Sequence, residues 1–336
     1  MIQKKLVLLC LITYNLASAQ FTDFSLTGKT SGIEDATYLY FRDLVNGGEI
    51  DSAMVRNNSF KFDTALPEPA IFTMLFTKDR SHFTEVWLEN KPMTFDASNG
   101  NFKEAKVTGS KNQILFKKLT EELWGDYLGT DKAVLKQRER EFIKEYPDAI
   151  VTVFLLFSND LWDQKEIGVA FNSLTEEVQN SSIGQKKIAQ YLEKDLPQIG
   201  ERYLDFKIPA SDGEGKKLSD LTGKLTLLQF WSSHCGPSKV LNATLAELYK
   251  TYHPQGLEII SIANDTDKEE WQRAIKEDNL SWSQLSNLQG WDGEVLRAYG
   301  VHATPSNFLI NSEGIIIERN LRGDELKKKI EDELEK

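Results

Sequence analysis

Leu225-Thr226-Leu227-Leu228-Gln229-Phe230 is a short, mostly apolar run of the kind that forms a buried strand. It passes through Trp231-Ser232-Ser233-His234-Cys235-Gly236-Pro237-Ser238 straight into a helical pattern, with Leu241, Leu245, Leu248 and Tyr252 on one stripe. A buried strand joined this tightly to an amphipathic helix commits this part of the chain to an α/β arrangement. The rest of the C-terminal sequence agrees. Leu257 to Ala263 predicts a second strand, and Thr266 with Glu269 predicts the cap of a helix carrying Trp271 and Ile275. Phe308-Leu309-Ile310 and Ile315-Ile316-Ile317 flank Asn311-Ser312-Glu313-Gly314, which predicts a hairpin before a last helix bearing Leu326, Ile330 and Leu334. Together these elements imply a mixed sheet flanked by helices.

With 336 residues the chain has room for more than this domain. From Phe24 to about Gly109 it reads as short strands: Phe24-Ser25-Leu26, Tyr38 to Phe41, Phe60-Lys61-Phe62, Ile71 to Phe76, Val86-Trp87-Leu88 and Met93-Thr94-Phe95. Asn46-Gly47-Gly48, Asn57-Asn58-Ser59 and Ser98-Asn99-Gly100 supply turns between them, so residues 20–110 are expected to form an antiparallel β-sandwich-like domain. Between Lys111 and Leu196 the period lengthens. Leu115, Leu119 and Leu123 recur at intervals of four, Ala149 to Phe157 is apolar on nearly every side, and Ser173-Leu174-Thr175-Glu176 has the form of a capping box. Residues 111–197 therefore read as a helical connector, with Pro197-Gln198-Ile199-Gly200 marking the boundary to residues 198–336. The overall class is thus α+β in the N-terminal part and α/β in the C-terminal part.

Lys4 and Lys5, the apolar run Leu6 to Leu16 and Ala17-Ser18-Ala19 make the three parts of a secretory signal peptide, cleaved before Gln20. The run is too short to span a bilayer, and no other stretch is apolar enough. The expected location is the periplasm or cell envelope. Acidic residues outnumber basic ones, 51 to 40, which argues against a nucleic-acid partner. Cys10 would leave with the signal, and the exported chain would keep one thiol, Cys235. In an oxidising compartment an unpaired cysteine is either a reactive thiol or a small buried apolar residue.

The neighbours of Cys235 favour the reactive alternative. The residue stands at a helix start, where unpaired peptide N–H groups and the positive end of the helix dipole stabilise a thiolate. Ser238, three residues on, can turn its hydroxyl toward the sulfur, and Pro237 suits the first helical turn. The segment Leu227 to Ser238, ending His234-Cys235-Gly236-Pro237-Ser238, resembles the active-site segment of the thioredoxin superfamily, nearest the exported TlpA/ResA-like, AhpC/TSA-related thiol-disulfide oxidoreductases. Lys217 to Lys224 before the first core strand is similar as well, and Tyr299-Gly300-Val301-His302-Ala303-Thr304-Pro305 resembles the family's loop ending in a cis-proline. The upstream β-rich and helical parts resemble, in layout, the domain fused to such modules in bacterial envelope proteins. The resemblance implies a thioredoxin fold over residues 198–336. It also implies that Pro305 lies against Cys235 and that the backbone of Thr304 pairs with an extended peptide. Cys235, Ser238 and His234 are then the catalytic candidates, and Trp231, Gly236, Pro237, Thr304 and Pro305 the substrate-binding ones.

Three departures from the family pattern bear on mechanism. Serine replaces the second cysteine at 238, so no internal thiol can expel a mixed disulfide. Leu241 and Ala243 stand where an acidic residue and a proline commonly follow in the helix, which removes a carboxylate suited to moving protons. His234 replaces a bulky apolar residue and would, when protonated, favour the thiolate. The leading expectation is a monothiol protein that forms mixed disulfides with envelope-protein thiols or disulfides and is released by an external thiol. A redox-inactive thioredoxin-fold scaffold stays open. So does a peroxiredoxin-like peroxidase, for which Ser232 fits the motif and Leu228 does not. No organic cofactor is implied. A metal at Cys235, His234 and His302 is not favoured, with no second cysteine and four histidines in the whole chain.

Overall fold

A computed structural model describes residues 23–126, 130–158 and 161–336. The expected signal peptide and Cys10 lie outside the described residues. The chain forms two compact units that divide between Ile114 and Leu115.

The first unit contains two four-stranded sheets. Strands β1 (Ser25–Thr30), β2 (Tyr38–Asp43), β3 (Glu49–Met54), β4 (Ser59–Phe62), β5 (Ala70–Thr77), β6 (Phe83–Glu89), β7 (Pro92–Ala97) and β8 (Lys106–Thr108) are ordered β4-β1-β7-β8 and β3-β2-β5-β6. Burial alternates along β1, β4 and β7, which turns Leu26, Phe60, Phe62, Met93 and Phe95 into a common core. Gly28 is required there. A Cβ at this position would lie 2.0 Å from the Phe60 ring on the paired strand. One pair departs from the antiparallel expectation: β1 and β7 run parallel, Ser25 opposite Pro92 through Thr30 opposite Ala97. No hairpin joins them, because the whole second sheet intervenes in the chain, so direction is not dictated by a turn. β3 (EIDSAM) escaped the sequence reading because only Ala53 in it is buried.

The second unit begins with helices. Helix α1 (Lys111–Lys117) runs across the division into a π-helical turn, Lys118–Leu123, and is followed by α2 (Lys132–Glu145), α3 (Ile150–Ser158), α4 (Gln164–Asn172) and α5 (Glu176–Gln179). A second π-helical turn, Gly184–Ala189, leads into α6 (Gln190–Leu192). α3 is buried from Ile150 to Val153 and again at Leu155 and Leu156, as its all-round apolarity requires. The capping box is formed by Asp163 and Glu166 at α4, not by Ser173 and Glu176. Ser173 Oγ instead donates to the Ala170 carbonyl at 2.6 Å, closing α4.

The C-terminal part holds a short hairpin, β9 (Lys207–Pro209) and β10 (Gly215–Lys217), then β11 (Leu225–Trp231), α7 (Gly236–Tyr252), β12 (Leu257–Ala263) and α8 (Lys268–Glu277). β13 (Ser283–Leu285), α9 (Glu294–Ala298), β14 (Ser306–Asn311), β15 (Ile316–Arg319) and α10 (Gly323–Leu334) complete it. The five-stranded sheet has the order β13-β12-β11-β14-β15. β11 pairs parallel with β12 and antiparallel with β14. All seven residues of β11 are buried, because apolar layers cover both faces. On one face Leu241, Leu245 and Leu248 of α7 pack with Trp271 of α8 and Leu326 and Ile330 of α10. On the other, Phe230 and Phe308 pack with Val295 and Leu296 of α9 and with Tyr299. This is the thioredoxin-like mixed sheet with helices on both faces. α8 is capped by Asp267, which accepts from the Glu269 and Glu270 N–H groups, rather than by Thr266.

Candidate active site around Cys235

The carboxyl ends of β11 and β12 and the amino end of β14 meet at one edge of the sheet, and this edge carries the cysteine. Asn264 N donates to Trp231 O at 3.0 Å, extending the ladder to the last residue of β11. The chain then turns. Ser233 is buried, and both its N–H and its hydroxyl donate to the carboxylate of Asp265, which is itself buried just beyond β12. Cys235 N closes the turn on Ser232 O at 3.1 Å.

Cys235 is the N-cap of α7, with φ −90° and ψ 108°. The first peptide N–H groups of this helix have no partner in the helix ladder and point toward its start. The sulfur is half-buried, and Sγ donates to the Thr304 carbonyl at 3.2 Å. The Thr304–Pro305 peptide is cis, as the resemblance implied, and Ser306 Oγ ties the same loop to Ala303 O at 2.9 Å. Gly236 and Pro237 are exposed in the first turn, and the space beside Gly236 is open: no heavy atom lies within 4 Å of where its Cβ would be. The edge thus brings together Cys235, Gly236, Pro237, Thr304 and Pro305.

Three of the expected site residues stand differently. Trp231 has no exposed surface and packs under the site, leaving no accessible face to meet an extended peptide. It closes a strand that is covered on both faces. Ser238 is also fully buried, and its hydroxyl has no hydrogen-bond partner, so it does not donate to Cys235 Sγ. Its direction is set by the inward face of α7. His234 is exposed and turns away to Glu270 of α8, Nε2 to Oε2 at 2.8 Å. Cys235, His234 and His302 are not gathered as a ligand set, and among the described residues no cluster of three or more His, Cys, Asp or Glu could hold a metal.

Two features were missed. Asp265 fixes the turn before the cysteine from a neighbouring strand, a relation only the sheet order reveals. Trp291, 49% exposed, stands in a turn whose Gly290 lies close to Thr266, a Cβ at position 290 falling 3.0 Å from Thr266 Cγ2, beside the same edge. A Gly-Trp-Asp-Gly tetrapeptide, residues 290–293, is a turn signal that could have flagged it. Below the site a buried chain of hydrogen bonds locks α7 to the sheet. Trp282 Nε1 donates to Ser261 Oγ (2.7 Å), Ser261 Oγ to Gln229 Oε1 (2.6 Å), Gln229 Nε2 to Asn242 Oδ1 (2.8 Å) and Asn242 Nδ2 to Asp278 Oδ2 (3.1 Å). Each buried polar group in it is satisfied by its neighbour, which gives the helix one position on the strands.

Comparison with known proteins agrees with this geometry. Residues 199–319 match the AhpC/TSA family, and residues 24–116 match a domain of unknown function, DUF4369. The thiol-disulfide oxidoreductase ResA of Bacillus subtilis (strain 168) is 32% identical over 129 residues, which cover 38% of this chain and 70% of that protein. ResA of Geobacillus thermodenitrificans (strain NG80-2) is 30% identical over 124 residues, 37% of this chain and 70% of its own. A solved thiol-disulfide oxidoreductase from Bacteroides fragilis NCTC 9343 is 32% identical, covering 39% of this chain and 98% of its own, with a TM-score of 0.38. With a thioredoxin-like sheet, a cysteine opening its first long helix and a cis-proline loop against the sulfur, the chain belongs to the ResA-like thiol-disulfide oxidoreductases of the AhpC/TSA family, and its N-terminal part is a DUF4369 domain.

Proposed function

We propose that this protein is an exported monothiol member of its family, working in the periplasm or cell envelope after losing residues 1–19. Cys235 carries the chemistry alone. The observation that supports this reading is a single half-buried sulfur at the start of a 17-residue helix, within 3.2 Å of a backbone carbonyl in a half-buried loop. Negative charge developing on sulfur during exchange is met there by the peptide N–H groups of the first turn. The thiolate attacks one sulfur of a partner protein's disulfide. A Cys235–partner disulfide forms, the partner's other sulfur leaves with the bonding electrons, and the proton of the Cys235 thiol passes to solvent. Position 238 offers a buried hydroxyl in place of an attacking thiol, so the adduct waits for an external thiol. That thiol attacks the partner's sulfur, Cys235 leaves with the bonding electrons, and the partner's sulfur passes into a disulfide with the attacker, from which a second external thiol frees it as a reduced partner. When another thiol of the partner itself attacks, Cys235 leaves and the partner keeps a rearranged disulfide. Thr304 and Pro305, with Gly236 and Pro237 on the facing side, would hold the extended partner segment.

The test is capture from the envelope of the native host. Free thiols are blocked by acid and alkylation, and disulfide-linked partners of the intact protein are compared with those of Cys235→Ser. Partners bound through disulfide to the intact protein and lost in the variant are the expected result. The same proteins recovered with both chains would favour a redox-inactive scaffold. The intact protein should carry Gln20 at its N-terminus.

A further inference from the structure

The loop that presents Thr304 is held by the helices that precede the thioredoxin-like sheet. Gly300 has φ +66°, and a Cβ there would lie 2.4 Å from Leu196 Cδ1, which would have to shift, and 3.1 Å from Tyr191 Cε2, a tight contact. Two residues on, the His302 ring stacks on Phe157 of α3, centroids 5.5 Å apart at an interplanar angle of 20°. It also meets Tyr191 of α6 edge-on, at 5.0 Å and 77°. Lys187 Nζ lies 5.0 Å from the Phe157 ring centroid. His302 Nδ1 and the Gly300 carbonyl are 3.0 Å apart, which ties the two contact points to each other. Thr304, the acceptor for Cys235 Sγ, is two residues beyond His302.

We propose that Phe157 and Tyr191, acting through His302, are positioning residues that set the Thr304 backbone against Cys235, so that the helical segment governs how an extended peptide disulfide is presented to the sulfur. None of the three touches the reacting atoms. The proposal rests on the thiol-exchange reading above. A small alkylating agent needs only an accessible sulfur, whereas an extended peptide needs the loop in register. Disturbing the aromatic clamp should therefore separate the two reactions.

The test uses the full exported chain and two probes: iodoacetamide, and a cysteine-containing peptide carried as its mixed disulfide with thionitrobenzoate. Cys235 attacks the peptide sulfur, the Cys235–peptide disulfide forms, and thionitrobenzoate leaves with the electron pair while the thiol proton goes to solvent. Phe157→Ala is expected to slow the peptide reaction by about tenfold, chiefly by raising its half-saturating concentration. Alkylation should change by less than about twofold, since thiol chemistry follows thiolate character and access. His302→Ala should behave likewise, and Phe157→Tyr should restore the peptide rate. Equal slowing of both reactions, or no slowing of either, would overturn the proposal. A wild-type protein that forms no peptide adduct would instead refute the exchange reading, and the proposal with it.

Discussion

Cys235, Ser238 and Trp231 show how much a single position decides. The residues that gather at the sulfur come from the strand-turn-helix segment and from the proline loop, and Trp231 and Ser238 turn inward because burial direction is a property of the finished sheet. Ser238 lies three residues into the helix, on its inward face, with an unpartnered hydroxyl. Cysteine is a small, easily buried residue, so Ser238→Cys should fold well and would remove a buried orphan hydroxyl. It would also supply the internal attacking thiol. The lifetime of a Cys235 mixed disulfide in this variant should fall by roughly a hundredfold or more without added thiol, since an intramolecular nucleophile acts at high effective concentration. Stopped-flow release of a fluorescent peptide thiol measures this. An unchanged lifetime would mean that something other than the missing sulfur limits release.

At the scale of elements, strands with alternating or continuous apolar runs were legible, and so was the β14–β15 hairpin around Gly314. Caps were less so. Thr266 had the right spacing, yet Asp267 took the capping role at α8, because its carboxylate, one residue nearer the helix start, reaches the Glu269 and Glu270 N–H groups. At α5 the N-cap is Thr175, two residues beyond Ser173, with no side-chain cap bond. The junction of β6 with α1 escaped altogether. Glu89, at the end of β6, accepts from Asn112 N (2.7 Å), Asn112 Nδ2 (2.9 Å) and Ser110 Oγ (3.0 Å), with Lys91 Nζ at 2.6 Å. Burial works to raise its pKa, but the Asn112 N–H, Lys91 and Ser110 outweigh it and hold the carboxyl below the ordinary 4.5. A depressed carboxylate stabilises the fold above its unfolded-state pKa, and that contribution fades as pH falls through the folded-state value. Glu89→Gln should therefore destabilise the N-terminal unit by about 2 kcal/mol at neutral pH. The deficit should shrink as pH drops below 4.5, measured by denaturant unfolding at several pH values. A deficit independent of pH would place the cost in packing rather than charge.

For the whole molecule, the thioredoxin-like part was readable because one strand-turn-helix segment and one proline loop are local signatures that the sheet merely brings together. The aromatic clamp on His302 was not. Phe157 and Tyr191 looked like ordinary helical apolar residues, and their partner lies more than a hundred positions downstream. Nor could the parallel β1–β7 pair be read, since the alternation that reveals a strand is blind to its direction. The functional proposal depends on one sulfur that captures a partner and cannot let it go unaided. Intact-mass spectrometry of the reduced, exported chain mixed with an equimolar disulfide-bonded peptide examines this directly. One peptide bound per chain at Cys235, persisting until a thiol such as glutathione is added and then vanishing, is the expected result. Reduced peptide released in full without added thiol, or no adduct at any time, would contradict it.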